Sequence, residues 1–420
     1  MKYAIVTFGC RVNQADSFQF EEGLRLRGAV EAPLRSADLV IVNTCSVTGA
    51  ADQNARRAIR GLSRDNPSAR IVVTGCYATR RPDDLDQLPN VVKVVPNPQK
   101  DGLLRLVDEA LDLRSRDQPG QGDGLCGGGV APGAMGRTAY PLRVQTGCDH
   151  SCSFCIIPST RGSSRSRQVG EIREEIERVV AAGYKELWLV GVHLGSFGRD
   201  LEPAASLTGL LRVLDRQPGD VTFRLSSLEP MDCSHDVVDL VARSGRFAPH
   251  FHLPLQHASD RVLRAMRRPY TFESYRVLVD QIHQRLPHAS IGSDVIVGFP
   301  GESDQDVETM ARAMEQMPFG YVHVFPYSDR PGTDAAVMAP KVNAALIKTR
   351  SRRLRDVAER LAGRFVASQI GSVRPGLTLD DGTVVLTDNF LKIRIPAGLP
   401  RNTRVRVRID SPALDGTLER

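Results

Sequence analysis

Residues 147–155 of this 420-residue chain read GCDHSCSFC and place three cysteines within eight positions. Cys148, Cys152 and Cys155 are separated by three and then by two residues. Soft thiolates at such short spacing are typical ligands of an iron–sulfur cluster. Most clusters take four protein ligands, so a set of three predicts a four-iron cluster with one iron open to another ligand.

A zinc site that adds His150 to the three cysteines is the alternative for this loop. His150 is separated from Cys148 and from Cys152 by a single residue each. Zinc ligands close in sequence typically have about two to four residues between them, so this spacing is cramped. We therefore favour the cluster over zinc.

The N-terminal part of the chain, residues 3–112, alternates short β-branched runs with helical stretches. This alternation is typical of an open, mostly parallel sheet covered by helices. The pattern predicts strands over 3–8, 38–43 and 70–74 and helices over 16–27 and 50–63.

A cysteine follows each of these three strands, namely Cys10, Cys45 and Cys76, and two of the three come directly after glycine. The carboxyl ends of parallel strands share one edge of a sheet, which is where open α/β sheets bind ligands. We therefore expect these distant cysteines to be neighbours in space. Three unrelated core cysteines are the alternative, because cysteine is often buried.

Residues 119–136 contain eight glycines and no hydrophobic periodicity, which predicts a flexible linker at a domain boundary. Cys126 lies in this linker and Cys233 in a polar loop, so we assign neither a ligand role. We expect an N-terminal domain, a linker, a central domain and a C-terminal domain over residues 1–115, 116–138, 139–370 and 371–420.

Six further strand-like runs follow the linker and alternate with helical stretches. They predict a partial (βα)6 barrel, in which the chemistry belongs at the C-terminal ends of the strands. The cysteine loop follows the first run, and the motifs GVHLGSFG, SSLEP, PLQHAS and GFPGES follow the next four. The runs cover residues 142–146, 186–192, 222–226, 250–256, 290–297 and 321–326.

The C-terminal residues 341–420 carry 16 Lys and Arg against 8 Asp and Glu, although the net charge of the whole chain is +6. A basic surface for RNA and a solvated helix face both fit this charge. Residues 341–370 predict a long amphipathic helix, and the alternation after them predicts a small β domain. Phe390 could stack on a base there, although packing in the core is the more usual role.

Hydrophobic residues make up 41% of the chain, and no apolar run approaches the roughly 20 residues that span a bilayer. The first residues run directly into a strand and do not resemble a secretory signal. We therefore predict a cytoplasmic protein without a membrane partner. Its cysteines are then expected to be reduced and to serve metals or catalysis.

The cysteine loop at the mouth of six strand–helix units resembles the radical S-adenosylmethionine (SAM) enzymes. In those enzymes the open iron binds SAM and drives its reductive cleavage. The three N-terminal strand-end cysteines and the small C-terminal β domain narrow the resemblance, over essentially the whole chain, to the methylthiotransferases. The implied fold is α/β, with an N-terminal open parallel sheet, a partial (βα)6 barrel and a C-terminal β domain of TRAM type.

This resemblance implies two [4Fe-4S] clusters and SAM as cofactors. Cys148, Cys152 and Cys155 would hold the SAM-binding cluster. A second set would hold an auxiliary cluster that carries the sulfur to be inserted, and its members are Cys10, Cys45 and Cys76.

The resemblance also implies SAM contacts at the ends of the second to fifth barrel strands. The sequence QHASD at Gln256 departs from the Gln-Ser-Gly-Ser that the family more often has, which makes this turn bulkier. Three arginines beyond the loop, Arg161, Arg165 and Arg167, are expected to order it or to contact the RNA backbone. The implied SAM contacts are His193, Glu229, Gln256, Val297, Gly298, Phe299 and Pro300.

Three subfamilies differ in substrate: isopentenyladenosine in tRNA, threonylcarbamoyladenosine in tRNA, or an aspartate of a ribosomal protein. The stretches GCRVNQADS, GVHLGSFGRDL, RLSSLEP and FPYSDRPGTDAA resemble the second. Val12 supports this, because the first subfamily tends to have methionine there and the third lysine.

The implied reaction adds a methylthio group to carbon 2 of threonylcarbamoyladenosine at position 37 of tRNA. Its partners would be tRNA, an external electron donor of the flavodoxin or ferredoxin type, and a sulfur donor. Methylthiolation of one of the other two substrates is the nearest alternative. A non-enzymatic RNA-binding module with structural metal sites is the alternative from a different class.

Overall fold

The computed structural model of the protein describes residues 1–110, 130–396 and 398–419. Cys126 and residues 116–129 of the predicted linker lie outside these ranges. The chain forms two compact units. The first contains Met1–Ala131, Thr146–His150 and Cys155–Ser163, and the second contains Pro132–Gln145, Ser151–Phe154 and Ser164–Arg420.

The first unit is built on a parallel sheet with the strand order β2-β1-β3-β4-β5. Its strands are β1 (Lys2–Thr7), β2 (Val30–Glu31), β3 (Leu39–Thr44), β4 (Arg70–Gly75) and β5 (Val91–Val95). Its helices are α1 (Arg11–Leu26), α2 (Gly49–Asp65), α3 (Cys76–Arg80), α4 (Pro82–Asp86), α5 (Leu103–Ala110) and α6 (Ile157–Arg161).

Helices cover both faces of this sheet, which explains the uninterrupted apolar run of β3. Val40 and Val42 pack with Ile59 of α2 on one face. Leu39 and Ile41 pack on the other face, in the core that contains α1. The predicted strands are confirmed to within one residue at each end. Helix α1 begins five residues earlier than predicted, directly after Cys10.

The strands after the linker are β6 (Tyr140–Arg143), β7 (Gln145–Thr146), β8 (Arg165–Ser166), β9 (Glu186–Val190), β10 (Thr222–Leu225), β11 (His250–His252), β12 (Ser290–Val297) and β13 (Tyr321–Pro326). All of them belong to the second unit except Thr146 of β7, which belongs to the first. The helices of this part are α7 (Val169–Ala181), α8 (Leu207–Asp215), α9 (His235–Arg243), α10 (Asp260–Ala265), α11 (Phe272–Arg285), α12 (Asp304–Gln316) and α13 (Ala344–Gln369). Of the helices in the described ranges, none has both the length and the apolar character that a membrane span requires.

Six of these strands form a parallel, open barrel. Two three-stranded sheets, β10-β9-β6 and β11-β12-β13, are joined where Phe223 bridges to Phe247 and Ser227 to His252. Within the described residues, β6 and β13 do not pair, so the ring stays open. Predicted strand 250–256 is shorter than expected, because the chain after His252 leaves the regular ladder. The partial six-stranded barrel is therefore confirmed.

The inner and outer faces of the barrel alternate along β12, as the period of a strand requires. Ser293 contacts the hydroxyl of Tyr275 on the surrounding helix α11, at 3.2 Å. Asp294, the next residue, points the other way and pairs with His252 of β11 and His323 of β13, at 3.2 and 3.0 Å. A polar network of neighbouring strands therefore occupies the inner face.

The C-terminal part is the expected small β domain, which follows the long helix α13. Its five antiparallel strands have the order β16-β15-β14-β17-β18 and enclose an apolar core that includes Val385, Ile393 and Val407. The strands are β14 (Val373–Leu379), β15 (Val384–Thr387), β16 (Lys392–Arg394), β17 (Arg404–Ile409) and β18 (Gly416–Glu419).

The buried Arg224 of β10 joins this β domain to the barrel within the second unit. Its guanidinium pairs with Glu186 of β9 at 3.1 Å and donates to the backbone carbonyls of Thr387 and Asp388, at 3.2 and 2.7 Å. Phe390 packs its ring against the aromatic rings of the barrel strands. Its neighbours are Trp188, His250 and Tyr321. Phe390 therefore packs, as its more usual role predicted.

Candidate cluster-binding sites

The structure brings Cys10, Cys45 and Cys76 together at the carboxyl edge of the first unit's sheet. Cys10 precedes α1, Cys45 follows β3 and Cys76 begins α3. Burial, together with the neighbouring thiols of Cys10 and Cys76, raises the pKa of Cys45 to about 11. Gly9 packs against the side chain of Cys45, and the ends of β3 and β4 pair at Thr44 and Gly75. The three cysteines are therefore neighbours at one edge, as their positions at strand ends predicted.

Two glycines make this approach possible. Gly9 has a φ of +94°, and a Cβ there would lie 2.6 Å from the Cβ of Cys45. Gly75 has a φ of +100°, and its Cβ would lie 2.2 Å from the carbonyl oxygen of Thr44. Only glycine fits such a conformation at such short range. A side chain at either position would clash with its neighbours, which explains why glycine precedes both Cys10 and Cys76.

Five buried polar side chains, which we call the cradle, lie beside these thiols: Asn13, Asp16, Asn43, Lys100 and Arg161. The carboxylate of Asp16 accepts hydrogen bonds from Lys100 at 2.7 Å and from Arg161 at 3.2 Å. Lys100 also donates to Asn43, at 3.0 Å, and Arg161 donates to the side-chain oxygen of Asn13. The side chains of the three charged residues are at most 4% exposed.

Arg161 interacts with the thiols of Cys76 and Cys10, and Lys100 also interacts with that of Cys76. Burial acts to lower the pKa of its guanidinium, but Asp16, Cys76 and Cys10 outweigh burial and raise the pKa. Its Nε is buried and has no hydrogen-bond partner. A second donor close to the thiols is Asn97, whose side-chain nitrogen lies 3.6 Å from the Sγ of Cys76.

In the loop, Cys148 and Cys155 belong to the first unit, and both thiols are partly exposed. The backbone N–H of Cys148 donates to the carbonyl of Gly162, at 3.0 Å. Gly147 has a φ of +74°, and a Cβ there would lie 1.9 Å from the carbonyl oxygen of Ser163. The start of the loop is therefore held against residues 162–163 and requires glycine.

Cys152 belongs to the second unit and is also partly exposed. Its Sγ accepts a hydrogen bond from Arg268 at 3.2 Å, and Arg268 also pairs with Glu229. Ser153 anchors this point of the loop, because its backbone N–H donates to the carbonyl of Met266 and its hydroxyl to that of Ala265. Arg268 thus connects one thiol with a predicted SAM contact.

The separation of the thiols in the first unit's sheet bears on whether they could bind a single metal ion. In the described ranges, one group of three possible ligands has its ligand atoms all within 4.8 Å, and it consists of His252, Asp294 and His323. The three thiols within the first unit's sheet, those of Cys10, Cys45 and Cys76, are not that compact. Two sulfurs on one zinc ion lie at most about 4.6 Å apart, since each Zn–S bond is about 2.3 Å long. The arrangement of Cys10, Cys45 and Cys76 therefore fits a larger cluster rather than a single zinc ion.

The predicted SAM contacts of the second and third strand ends are held by charged partners. The imidazole of His193 lies 2.7 Å from the carboxylate of Asp232, and its backbone N–H donates to the side-chain oxygen of Gln145, at 2.9 Å. Glu229 is held by Arg268. These two predicted contacts therefore have fixed orientations.

The remaining predicted SAM contacts lie at the fourth and fifth strand ends. Gln256 is partly exposed and adopts a φ of +63°, and its backbone N–H donates to the carbonyl of Asp294. Gly298 donates its N–H to the carboxylate of Glu302 at 2.8 Å, and a Cβ on it would lie 2.4 Å from Ile347 of α13. The side chains of Val297, Phe299 and Pro300 are buried.

The departure at QHASD has a structural explanation. The ring of His257 is buried, with Nε2 3.6 Å from a carboxylate oxygen of Glu302, and its Nδ1 accepts from the N–H of Ser259 at 2.9 Å. One ring nitrogen is therefore hydrogen-bonded inside the protein, and the other faces the carboxylate of Glu302. The extra bulk relative to serine is accommodated toward Glu302.

The three arginines predicted to order the loop or contact RNA have different environments. Arg161 is buried in the cradle described above, where it pairs with Asp16. Arg167 pairs with Glu175 and lies 3.8 Å from Glu171. Arg165 is exposed.

Sequence reasoning missed three partners of the thiols, namely Asn97, Lys100 and Arg268. It also missed Asp16, which holds Lys100 and Arg161. Asn13 and Asp16 lie one helical turn apart after Cys10, a spacing that places both on one face of α1 and could have drawn attention to them. Nothing in the sequence around Lys100 or Arg268 indicates such a role. Cys233 is buried, and burial raises the pKa of its thiol to about 12, as suits an unreactive structural cysteine.

Comparisons with known proteins agree with this architecture. Residues 142–314 match the model of the radical SAM superfamily, and residues 2–96 match that of an uncharacterized protein family, UPF0004. A threonylcarbamoyladenosine tRNA methylthiotransferase of Aquifex aeolicus is 34% identical over 94% of this chain and 96% of its own. One of Thermotoga maritima is 36% identical over 88% and 85%.

A tRNA-2-methylthio-N6-dimethylallyladenosine synthase of Streptomyces coelicolor is 32% identical over 88% of this chain and 75% of its own. The chain therefore belongs to the methylthiotransferase family of radical SAM enzymes. The family uses [4Fe-4S] clusters and SAM. Among solved structures, a radical SAM methyltransferase of Kitasatospora setae, TsrM, superposes with a TM-score of 0.56 at 16% identity, over 80% of this chain and 74% of that one. This last likeness concerns the fold alone.

The first set of thiols fits an iron–sulfur cluster on three structural grounds. Three thiols converge, two glycines leave the space that a Cβ would fill, and the buried Nε of Arg161 lacks a partner beside them. In the second set, Gly147 leaves space that a Cβ would fill, and Arg268 donates a hydrogen bond to the thiol of Cys152. Both sets offer the soft ligands that a cluster requires.

Proposed function

We propose that the protein adds a methylthio group to carbon 2 of N6-threonylcarbamoyladenosine at position 37 of tRNA. The observation that carries this proposal is the presence of two separate sets of three thiols, in a chain that aligns almost end to end with relatives named for that reaction. Each set is one ligand short of four, so each leaves room for a non-protein ligand.

The two sets hold different clusters in this proposal. Cys148, Cys152 and Cys155 hold the cluster that binds SAM, and the other set holds the auxiliary cluster: Cys10, Cys45 and Cys76. When bound, the clusters and SAM supply the radical chemistry and the sulfur for the transfer. Burial favours the protonated form of Cys45, so binding of the auxiliary cluster displaces a proton from this thiol.

The side chains around the second set orient SAM. Arg268 holds Glu229 and donates to the thiol of Cys152, so one guanidinium sets both a cluster ligand and a SAM contact. His193 is oriented by Asp232 in the same way. The buried segment 297–300 forms a rigid wall, because Glu302 fixes the backbone of Gly298.

The proposed domains are the N-terminal domain at 1–115, the linker at 116–138, the barrel domain at 139–370 and the β domain at 371–420. The basic β domain supports tRNA as the substrate, since strands β16 and β17 carry exposed Lys and Arg side chains. The proposal includes a cytoplasmic location, an external electron donor of the flavodoxin or ferredoxin type and a sulfur donor.

The test uses anaerobically reconstituted protein and two triple variants. C148A/C152A/C155A should lose SAM cleavage by at least about 100-fold, because SAM then has no iron to bind. C10A/C45A/C76A should keep SAM cleavage within a few-fold and lose methylthiolation. Zinc without sulfide in the wild-type protein, or SAM cleavage that survives the first triple substitution, would contradict the proposal.

Substrate choice is tested with the same wild-type preparation. We expect methylthiolation of tRNA that carries threonylcarbamoyladenosine and none of tRNA that carries isopentenyladenosine or of a ribosomal protein. Modification of the ribosomal protein alone would assign the chain to the neighbouring subfamily.

A further inference from the structure

The buried cradle beside the first set of thiols has more positive than negative charge. The ammonium of Lys100 and the guanidinium of Arg161 share the single carboxylate of Asp16, at 2.7 and 3.2 Å. The other two members of the cradle, Asn13 and Asn43, are neutral amides. The pair of Lys100 with Asp16 is neutral as a whole, so Arg161 contributes one excess positive charge.

An excess buried charge is costly unless an anion compensates it. The effective penalty for a buried ion without a partner is several kcal/mol. Arginine cannot relieve this cost by losing its proton, because its pKa is above about 12 in proteins. Besides Asp16, the groups that raise the pKa of Arg161 are Cys76 and Cys10, which become negative when they bind a metal as thiolates. Both are thiols of the first set.

The hydrogen bonds of Arg161 lead to the same conclusion. One terminal nitrogen is occupied by Asn13 and Asp16, whereas the buried Nε has no partner. Asn97, which also donates toward Cys76, helps to hold helix α6 in place through a 2.9 Å hydrogen bond to the carbonyl of Thr160. The residue before Arg161 is therefore tied to the second donor at the thiols.

We propose that Arg161 is a positioning residue for the auxiliary cluster, whose excess charge balances the negative charge of the thiolates and whose Nε donates to a cluster or thiolate sulfur. This inference rests on the proposed function, because it takes Cys10, Cys45 and Cys76 as cluster ligands. Hydrogen bonds to sulfur and nearby charge are among the factors that set the reduction potential of an iron–sulfur cluster.

The charges make opposite predictions for two substitutions. Replacing Arg161 by glutamine removes positive charge, so the reduced cluster is less stable and its midpoint potential falls. Replacing Asp16 by asparagine removes negative charge from the same cradle, so the midpoint potential rises. A purely structural cradle would lose cluster occupancy in both variants but would not shift their potentials in opposite directions.

The experiment uses the full chain with C148A/C152A/C155A, so that the auxiliary cluster is the one observed. Iron content and a redox titration followed by electron paramagnetic resonance are measured for this protein and with R161Q, R161K, D16N and R60Q added. Arg60 is an exposed arginine of α2 in the same unit and serves as the matched control. We expect a lower potential with R161Q, a higher one with D16N, and values near the parent with R161K and R60Q.

The outcomes distinguish a failure of the proposed function from a failure of the role proposed for Arg161. Absence of a cluster from the parent triple variant contradicts the proposed function itself. A normal cluster in the parent, with R161Q and D16N shifted in the same direction or not at all, overturns the role of Arg161. If R161Q binds no iron while R161K does, the requirement for positive charge is supported, and D16N then provides the opposite shift.

Discussion

At the residue scale, the cluster account depends on atoms that come unusually close. Gly75 brings Cys76 to the end of β3 in a conformation with a φ of +100° and a ψ of −165°, which is essentially restricted to glycine. The carbonyl oxygen of Thr44 occupies the space of a side chain at this position. The site therefore requires glycine, with no side chain, at position 75 as well as the thiols of the cysteines.

Replacing Gly75 by alanine should lower the free energy of unfolding of the first unit by about 1–3 kcal/mol or more, because backbone strain adds to a clash with backbone. It should also reduce iron bound at the first set of thiols, measured in C148A/C152A/C155A. The matched control is Gly61→Ala in α2, where a Cβ meets only the end of Arg64, at 3.9 Å. That change should be neutral or stabilising by about 0.5–1 kcal/mol. Unchanged iron binding in the Gly75 variant would contradict the tight packing of the thiols.

The six cysteines proposed as ligands could be picked out from the sequence because their signals are local. Strand-end positions place Cys10, Cys45 and Cys76 at one edge, and the loop spacing marks the other set. The charges of the cradle could not be deduced in this way. Lys100 and Arg161 reach Asp16 from 84 and 145 positions away along the chain, and such pairs follow from tertiary packing alone.

At the scale of elements, the inner face of the barrel carries an acid-sensitive network. Burial acts to raise the pKa of Asp294, but hydrogen bonds with His252 and His323 outweigh it and lower the pKa to about 2. The folded pKa is below the unfolded value of about 3.9, so the contribution of Asp294 to stability is present above that value. It is lost as the pH falls through 2.

Replacing Asp294 by asparagine should therefore flatten the acid dependence of stability. We expect the wild-type protein to lose about 2 kcal/mol between pH 5 and pH 2 through this carboxylate, and the variant to lose less. Thermal melts of the metal-free protein over this range measure the difference. The exposed Asp356 of α13 provides the control, as Asp356→Asn should leave the slope unchanged. If stability depended on pH equally in the Asp294 and Asp356 variants, the carboxylate that Asp294 shares between two histidines would not be the acid-sensitive group.

The joint between β9, β10 and the C-terminal sheet is the second element-scale feature. Arg224 is fully buried, and its removal leaves the carboxylate of Glu186 buried with the indole N–H of Trp188 as a remaining partner, at 2.7 Å. Breaking a buried ion pair in this way costs about 3–5 kcal/mol. R224M should therefore destabilise the protein by that amount, and R224M/E186Q should cost less than R224M alone.

Trp188 is the only tryptophan of the chain and contacts both Arg224 and Phe390, so its fluorescence reports directly on this joint. Melts followed at this fluorophore measure the effect. A double variant at least as unstable as R224M would show that the charge left on Glu186 is not the cause.

The elements themselves were largely predictable, because strands β1, β3 and β4, the barrel strands and α13 follow from hydrophobic periodicity. The attachment of the β domain was not, since Arg224 meets the carbonyl of Asp388 164 positions later. The positive φ of Gln256 was also not predictable, because a non-glycine residue adopts it only when its surroundings impose it.

At the scale of the whole molecule, the two sets of thiols and the basic β domain serve one reaction in the proposed account. The domain order follows the order of motifs along the sequence, so this level could be predicted from resemblance and spacing together. Sequence identity alone does not distinguish the substrates strongly, since relatives named for two different tRNA nucleosides are 32–36% identical to this chain. Substrate identity must therefore be measured.

The most direct measurement is mass-spectrometric analysis of tRNA nucleosides from a strain in which the gene is deleted, with the parent strain and complemented strains beside it. We predict that 2-methylthio-N6-threonylcarbamoyladenosine disappears, that its unmethylthiolated precursor accumulates, and that the wild-type gene but not its C10A/C45A/C76A variant restores the modification. An unchanged level of the methylthiolated nucleoside in the deletion strain would contradict the assignment.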